Sequence, residues 1–211
     1  MFADRMDAAR QLADALSHYR GTQPVVLAIP RGAVPIAALV ARELGGALDL
    51  VLVRKLHAPG APEFAVGAVD ESGWVFLGAH AASVGADAAY VDAQKQQQME
   101  ELARRREMYT PGRPGVDVHG RTVIVVDDGL ATGATMVAAL HAVRQRGAKR
   151  LVCAVPVASP ESVELVRRHA DEVVCLAAPP RFRAVSQFYA SFAQLEDDEV
   201  IALLRQAARP H

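Results

Sequence analysis

With 211 residues, 51% of them hydrophobic and 22% charged, the chain can bury a sizeable core and is not a disordered polypeptide. Its 23 basic and 24 acidic residues leave a net charge of -1, which argues against a broad nucleic-acid surface, because phosphate backbones are held by clustered excess Lys and Arg. No apolar run reaches the roughly 18–20 residues that span a bilayer. Asp4, Arg5, Asp7 and Arg10 interrupt the apolar positions of a signal peptide, so no membrane partner and a cytoplasmic location are expected.

In chain order, Phe2, Met6, Ala9, Leu12, Ala13, Leu16 and Tyr19 form one helical stripe, closed by Arg20-Gly21. Residues 25–29 are a buried strand after Pro24, 33–44 a helix stopped by Gly45-Gly46, and 48–53 a second strand. Strand, helix and strand with short connections make a βαβ unit with parallel pairing and a right-handed crossover. The middle of the chain differs. Residues 64–69 and 74–77 flank Asp70-Glu71-Ser72-Gly73 as a hairpin, and 87–108 form one long polar helix with a thin apolar stripe of Val91, Leu102 and Tyr109. That helix is either solvated or a surface for a partner or second subunit, and Arg104-Arg105-Arg106 within it reads as a solvated face or, with Tyr109, as a group reaching a neighbouring active site in a dimer. Thr110-Pro111-Gly112-Arg113-Pro114-Gly115 ends it.

The parallel pattern then resumes, with strands at 122–126, 151–155 and 172–176 and helices at 133–146 and 160–169. A closing helix at 196–208 carries Asp197, Asp198 and Glu199 near its positive end. Cys153 and Cys175 lie in apolar runs and read as buried thiols. The expected fold is α/β: an open, mostly parallel sheet with helices on both faces. One domain is expected over residues 1–211, with a hairpin-plus-long-helix insertion at about 56–115 and a small hood at about 178–195.

The informative segment follows the strand Thr122 to Val126: Asp127-Asp128-Gly129-Leu130-Ala131-Thr132-Gly133-Ala134-Thr135. Two acids end an apolar strand, and a small hydroxyl-rich loop leads directly into a helix. In open α/β sheets ligands bind at the carboxyl ends of strands. Free amides at a helix N-terminus make an anion site suited to phosphate. Thr132 and Thr135 add hydroxyl donors, and Gly133 lets the backbone come close. Asp127 and Asp128 would repel phosphate, so they are placed to accept hydrogen bonds from hydroxyls, directly or through a metal. Vicinal acids beside a phosphate cradle describe a ribose 5-phosphate site. The sequence holds no Gly-x-x-x-x-Gly-Lys-Ser/Thr and no Gly-x-Gly-x-x-Gly after its first strand, which excludes the P-loop and dinucleotide readings at motif level. The acid pair of a phospho-acceptor receiver domain follows the first strand, and this one does not.

This segment resembles the phosphoribosyl-pyrophosphate motif of the type I phosphoribosyltransferases. Ile29-Pro30-Arg31-Gly32-Ala33-Val34-Pro35 with Ala41-Arg42-Glu43-Leu44 is similar to that family's pyrophosphate loop, and Arg54-Lys55 to the basic pair of its adenine-type members. The segments at 127–135 and 184–189 look most like a predicted bacterial group whose acceptor is undefined. The resemblance implies a non-proline cis peptide before the loop glycine, at Arg31–Gly32. Ala131 stands where many 6-oxopurine enzymes carry an Asp, which argues against hypoxanthine or guanine as acceptor. Gly129 replaces a usually apolar residue and is expected to loosen the turn. The segment 182–192 holds Phe182, Phe188, Tyr189 and Phe192, four of the ten Phe and Tyr residues, which read as core or as a platform for a flat base.

By that resemblance the chain transfers a phosphoribosyl group from phosphoribosyl pyrophosphate to a nitrogenous acceptor, with Mg2+ held mainly by substrate oxygens and no metal ligand of its own. Gly129, Leu130, Ala131, Thr132, Gly133, Ala134 and Thr135 belong to the binding loop. Asp127 and Asp128 hold the ribose. Arg31, the Gly32 amide and Lys55 neutralise the leaving pyrophosphate. The stretch 56–63 is expected as a mobile loop that closes over the site, His57 within it receiving no role. A homodimer follows from the resemblance alone. The rival reading is a non-enzymatic sensor of phosphoribosyl pyrophosphate. A third is transfer to an acceptor that is not a nucleobase.

Overall fold

The structure, a computed structural model, describes residues 1–207. Helix α1 (Arg5–Ala15) is capped by the Asp4 carboxylate, which accepts from the Asp7 amide, and Phe2 lies outside it. Strand β1 (Val25–Ala28) leads into α2 (Val34–Leu44), which Gly45 ends in the left-handed conformation, and then β2 (Ala47–Leu50). Three antiparallel strands follow: β3 (Val53–Ala58), β4 (Ala61–Asp70) and β5 (Val75–Leu77). Next come α3 (Ala88–Tyr109), β6 (Thr122–Val126), α4 (Ala134–Gln145), β7 (Arg150–Val157), α5 (Pro160–Val166), β8 (Glu172–Ala177) and α6 (Asp197–Ala207). Residue 208 of the expected closing helix lies outside the described residues.

Strands β2-β1-β6-β7-β8 form a five-stranded sheet, parallel throughout. Its side chains alternate cleanly. Val26, Ala28, Ile124, Val126, Val152 and Ala154 join a core with α1, α2 and α6, while Val25, Leu27, Val123, Val125, Leu151 and Cys153 join one with α4 and α5. With both faces covered, the strands must be apolar at nearly every position, as the Val-rich runs already indicate. Cys153 is buried in β7 and Cys175 half-buried in β8, both as free thiols.

The second sheet, β3-β4-β5, packs on α4 and α3. Where a loop is expected at 56–63, it shows paired strands. Leu56 and Ala58 are buried, β3 pairs with β4 across this stretch, and only the turn at Pro59 and Gly60 separates them. The Pro and Gly residues that suggest a loop belong to that turn and to the start of β4. The long helix is also less solvated than its polarity implies. Val91, Leu102 and Tyr109, its thin stripe, are buried, and Arg106 reaches Glu71 of the β4–β5 turn at 2.6 Å.

One polar knot fastens the second sheet to α4. The fully buried Asp70 accepts from the Ser72 amide (2.8 Å), the Ser72 hydroxyl (2.5 Å) and the Trp74 amide (3.1 Å), and its other oxygen lies 3.1 Å from His141 Nδ1. The Trp74 ring stacks on His141 at 3.8 Å. Asp70→Ala would remove the acceptor of two turn amides and the buried partner of His141. We expect it to lower stability by about 2–3 kcal/mol in urea unfolding. Asp70→Asn keeps the accepting oxygen and is expected to cost less.

Candidate functional site

The order of the main sheet reverses between β1 and β6: from β1 the chain moves outward to β2, and from β6 it moves the other way. At such a switch point the two connecting loops splay apart and leave a crevice. Here it is a cleft of about 400 Å³, bounded by Pro30 and Gly32 after β1, the segment Asp127 to Thr135 after β6, and Arg54, Lys55 and His57 of β3.

The floor is built by the β6–α4 loop. Leu130 is buried and bridges to Ala158, its amide donating to the Val157 carbonyl at 2.9 Å, so that amide is not open to a ligand. The Ala131 carbonyl accepts from the hydroxyls of Ser159 (3.1 Å) and Ser162 (2.7 Å) at the start of α5. Gly133 takes φ +76° as the residue before α4, a conformation that glycine adopts without steric cost. Among the described residues the amides of Ala131, Thr132, Gly133 and Thr135 meet no acceptor, and the Ala134 amide has only a long 3.5 Å contact to the Thr132 hydroxyl. Unpaired amides at the positive end of a 12-residue helix form a cradle for an anion.

Beside the cradle stand the two acids. Asp127 Oδ1 accepts from the Asp128 amide at 2.8 Å. Asp128 Oδ2 accepts from Arg5 Nε (3.2 Å) and Nη2 (3.0 Å). Burial pushes the Asp127 carboxyl well above the usual carboxylate range, and the neighbouring charge of Asp128 adds to it. Burial raises Asp128 as well, with the Arg5 guanidinium opposing the shift. Gly32 is explained by this pair. A β-carbon there would lie 1.9 Å from Asp128 Oδ2, so the loop after β1 approaches the acids only because residue 32 has no side chain.

The structure brings Asp127, Asp128, Gly32, Lys55 and the loop from Gly129 to Thr135 to one cleft. Arg31 is turned aside: its Nη1 lies 3.5 Å from Asp197 and 3.8 Å from Glu196, lining a neighbouring cleft with Arg5 and Phe192. The cis peptide joins Pro30 to Arg31, not Arg31 to Gly32. The close approach of Gly32 to Asp128, and not a cis bond at that residue, is what requires the glycine. Gly129 does not leave the turn loose either. The space its β-carbon would fill is taken by Val185, whose methyls would lie 2.6 and 2.9 Å away. Phe182 and Phe188 stack at 5.2 Å, while Tyr189 packs on Phe2 and Phe192, so these aromatics form a small core of their own.

Three features escape sequence reasoning. Arg5 is visible there only as a charge breaking an apolar stretch, yet it reaches Asp128 across 123 positions. The Tyr189 hydroxyl donates to the Asp128 carbonyl at 2.7 Å. His57 lines the cleft at a bulge in the β3–β4 pairing, with its Nδ1 buried and unpartnered among the described residues. For a metal, no group of three or more His, Cys, Asp or Glu side chains able to hold an ion occurs among the described residues. Asp127 and Asp128 are the carboxylate donors of the cleft, oxygen ligands of the kind that suit a hard ion such as Mg2+. No helix among the described residues is long and apolar enough to cross a membrane.

Comparison with known proteins identifies the family. The family model for the phosphoribosyl transferase domain matches residues 2–192. A Mycobacterium tuberculosis protein, provisionally named a phosphoribosyl transferase, is 46% identical over 99% of this chain and 47% of its own length. The chain thus spans about half the length of these curated relatives. The crystal structure of TT1426 from Thermus thermophilus is 48% identical, with a TM-score of 0.82 over 99% of both chains. A uracil phosphoribosyltransferase of Anoxybacillus flavithermus is 46% identical over 63 residues, 29% of this chain and 30% of its own.

The raised pKa of Asp127 has a sign that can be checked. A carboxyl whose folded value exceeds its unfolded value of about 4 favours the fold below that value, and the benefit is lost as pH rises through the folded value. At pH 7 Asp127 therefore destabilises the protein. Asp127→Asn is expected to raise the melting temperature at pH 7, by about 2–4 °C per kcal/mol relieved, and to raise it little at pH 4. A lower melting temperature at pH 7 would contradict the upward shift of this carboxyl.

Proposed function

The chain belongs to the phosphoribosyl transferase domain family, and from that premise we propose that it transfers the 5-phosphoribosyl group of phosphoribosyl pyrophosphate to a nitrogenous acceptor, releasing pyrophosphate. The observation that carries this reading is the pairing of a cradle of free amides with two adjacent carboxylates in one cleft. Phosphate needs donors and vicinal hydroxyls need acceptors, and the two sets stand side by side as they do in a ribose 5-phosphate.

In the proposed arrangement the amides of Ala131 to Thr135, with the hydroxyls of Thr132 and Thr135, hold the 5-phosphate. Asp127 and Asp128 accept from the ribose hydroxyls. Lys55 and the Gly32 amide face the pyrophosphate, and Arg31 joins them by leaving its two weak contacts at 3.5 and 3.8 Å with the start of α6. Mg2+ bound with the substrate would supply charge neutralisation for the leaving pyrophosphate. The bond from ribose carbon 1 to the pyrophosphate oxygen breaks as the acceptor nitrogen approaches the opposite face. The chain forms no covalent bond in this step, so positioning and fixed donors provide the acceleration. Ala131 offers no carboxylate to an acceptor ring, which favours an acceptor other than a 6-oxopurine.

The reading is tested by calorimetric titration of the protein with phosphoribosyl pyrophosphate and Mg2+, beside the Asp127→Asn/Asp128→Asn variant. The wild type is expected to bind, and the variant to lose at least about 100-fold in affinity, from two charge-assisted hydrogen bonds of about 1.5–3 kcal/mol each. Equal binding by both proteins would remove the acids from the site. Pyrophosphate release across a panel of nucleobases, amines and small aromatic nitrogen compounds then identifies the acceptor class.

A further inference from the structure

We propose that Arg5, in the first turn of α1, is a positioning residue for the ribose site, acting through Asp128 and tying the hood to it. The proposal rests on the ribose-binding reading of Asp128. Four contacts fix the guanidinium. Nε and Nη2 donate to the same oxygen of Asp128, at 3.2 and 3.0 Å, and Nη1 donates to the Ala193 carbonyl at 2.6 Å. Its carbon lies 3.8 Å from the centre of the Phe192 ring, a cation–π distance. The side chain is only 12% exposed, so this charge is not a solvated surface group that happens to sit near an acid.

These contacts leave Asp128 one accepting oxygen. Oδ2 is enclosed between Arg5 and the bare α-carbon of Gly32, and Oδ1 remains for a ligand. Asp127 has no such support, for its partner is the Asp128 amide. The two acids therefore differ, and only Asp128 has a fixed counter-charge. The backbone around it is held by the same part of the molecule. Tyr189 donates to the Asp128 carbonyl, and the N-terminal segment pairs with the hood through Phe2 to Phe188, Ala190 to Phe2 and Ser191 to Ala3. Arg5 and residues 189–193 thus make a clamp around Asp128, joining the first helix, the ribose acid and the hood. A hood that shifts on binding an acceptor moves the Ala193 carbonyl, and through Arg5 it moves the ribose acid.

The test is a double-mutant cycle on the full chain, reading affinity for phosphoribosyl pyrophosphate with Mg2+. Arg5→Gln is expected to weaken binding about 10- to 100-fold in the wild-type background, from loss of charge-assisted bonds. In the Asp128→Asn background it is expected to change binding less than about twofold, because the carboxylate it served is gone. Arg5→Lys, which retains the charge but cannot bridge Asp128 and Ala193 together, is expected to recover part of the loss. It also completes the cycle where Arg5→Gln does not fold. The acid limb of binding is a second readout. Around Asp128 stand Arg5 from α1, Asp127 beside it, Lys55 from β3 and Tyr189 from the hood. Removing Arg5 leaves the desolvation of Asp128, and the charge of Asp127 beside it, opposed only by Lys55, so the limb should move to higher pH. Equal losses in both backgrounds, or an unmoved acid limb, would overturn the proposal by showing that Arg5 merely supports the fold. Wild-type protein that binds no phosphoribosyl pyrophosphate would sink the parent reading and this proposal with it. Binding that survives in the wild type but is indifferent to Arg5 would sink this proposal alone.

Discussion

Two neighbouring carboxylates held at the end of a buried parallel strand are the arrangement around which the rest of this site is organised. Charges that close repel one another, and burial disfavours the ionised form of each. Nothing in the core benefits from Asp127 and Asp128, both of which are shifted upward. The surrounding structure is shaped to tolerate them. Gly32 withholds a side chain to let the neighbouring loop come close, Lys55 sends a positive charge along β3, and Arg5 crosses from α1 to meet Asp128. Strain of this kind concentrates where a fold does chemistry, and its cost is offset by the packing elsewhere.

Topology supplies the crevice and local sequence supplies its chemistry. The reversal of strand order between β1 and β6 would open a gap whatever residues lined it. What fills the gap here is decided by two short segments, each just past the end of an apolar strand. The segment after β1 contributes a bare α-carbon, and that after β6 contributes acids followed by free amides. Their juxtaposition needs no long-range instruction beyond correct pairing of β1 with β6, in which Ala28 lies opposite Val126.

The same division decides which parts are legible in the sequence. The strands and helices of the main sheet can be read because their Val-rich runs and punctuating glycines are local signals, and the bounds expected for β6 match those observed. The acid pair and the phosphate loop can be read for the same reason. The stretch 56–63 misleads as to its form because Pro59 and Gly60 are turn residues in either a loop or a tight hairpin, and only the pairing of β3 with β4 separates the two. The contacts that Arg5, Val185 and Tyr189 make with the acid pair and its turn cannot be read from the sequence. Each acts on residues 127–129 from a distant part of the chain, and nothing in the neighbourhood of position 5 or 185 announces a partner there. Gly129 shows the problem most clearly. Alone it reads as a loosened turn, whereas the methyls of Val185 occupy the vacated space.

The two ends of the cleft also differ in stiffness, in a direction that suits a transfer reaction. At the cradle, the Ala131 carbonyl is bonded by two serine hydroxyls from α5, Leu130 is locked to β7 and Ala158, and the left-handed Gly133 sets the angle of α4. Donors fixed this firmly need little reorganisation when an anion arrives or as charge develops nearby. At the other end, Arg31 is tied only by contacts of 3.5 and 3.8 Å to the half-buried Asp197 and the exposed Glu196, and Lys55 is exposed. Such contacts are worth little in water and exchange easily. In the proposed reaction the 5-phosphate must stay put while the pyrophosphate departs. A rigid cradle at one end and weakly committed cations at the other are what that asymmetry asks of the protein.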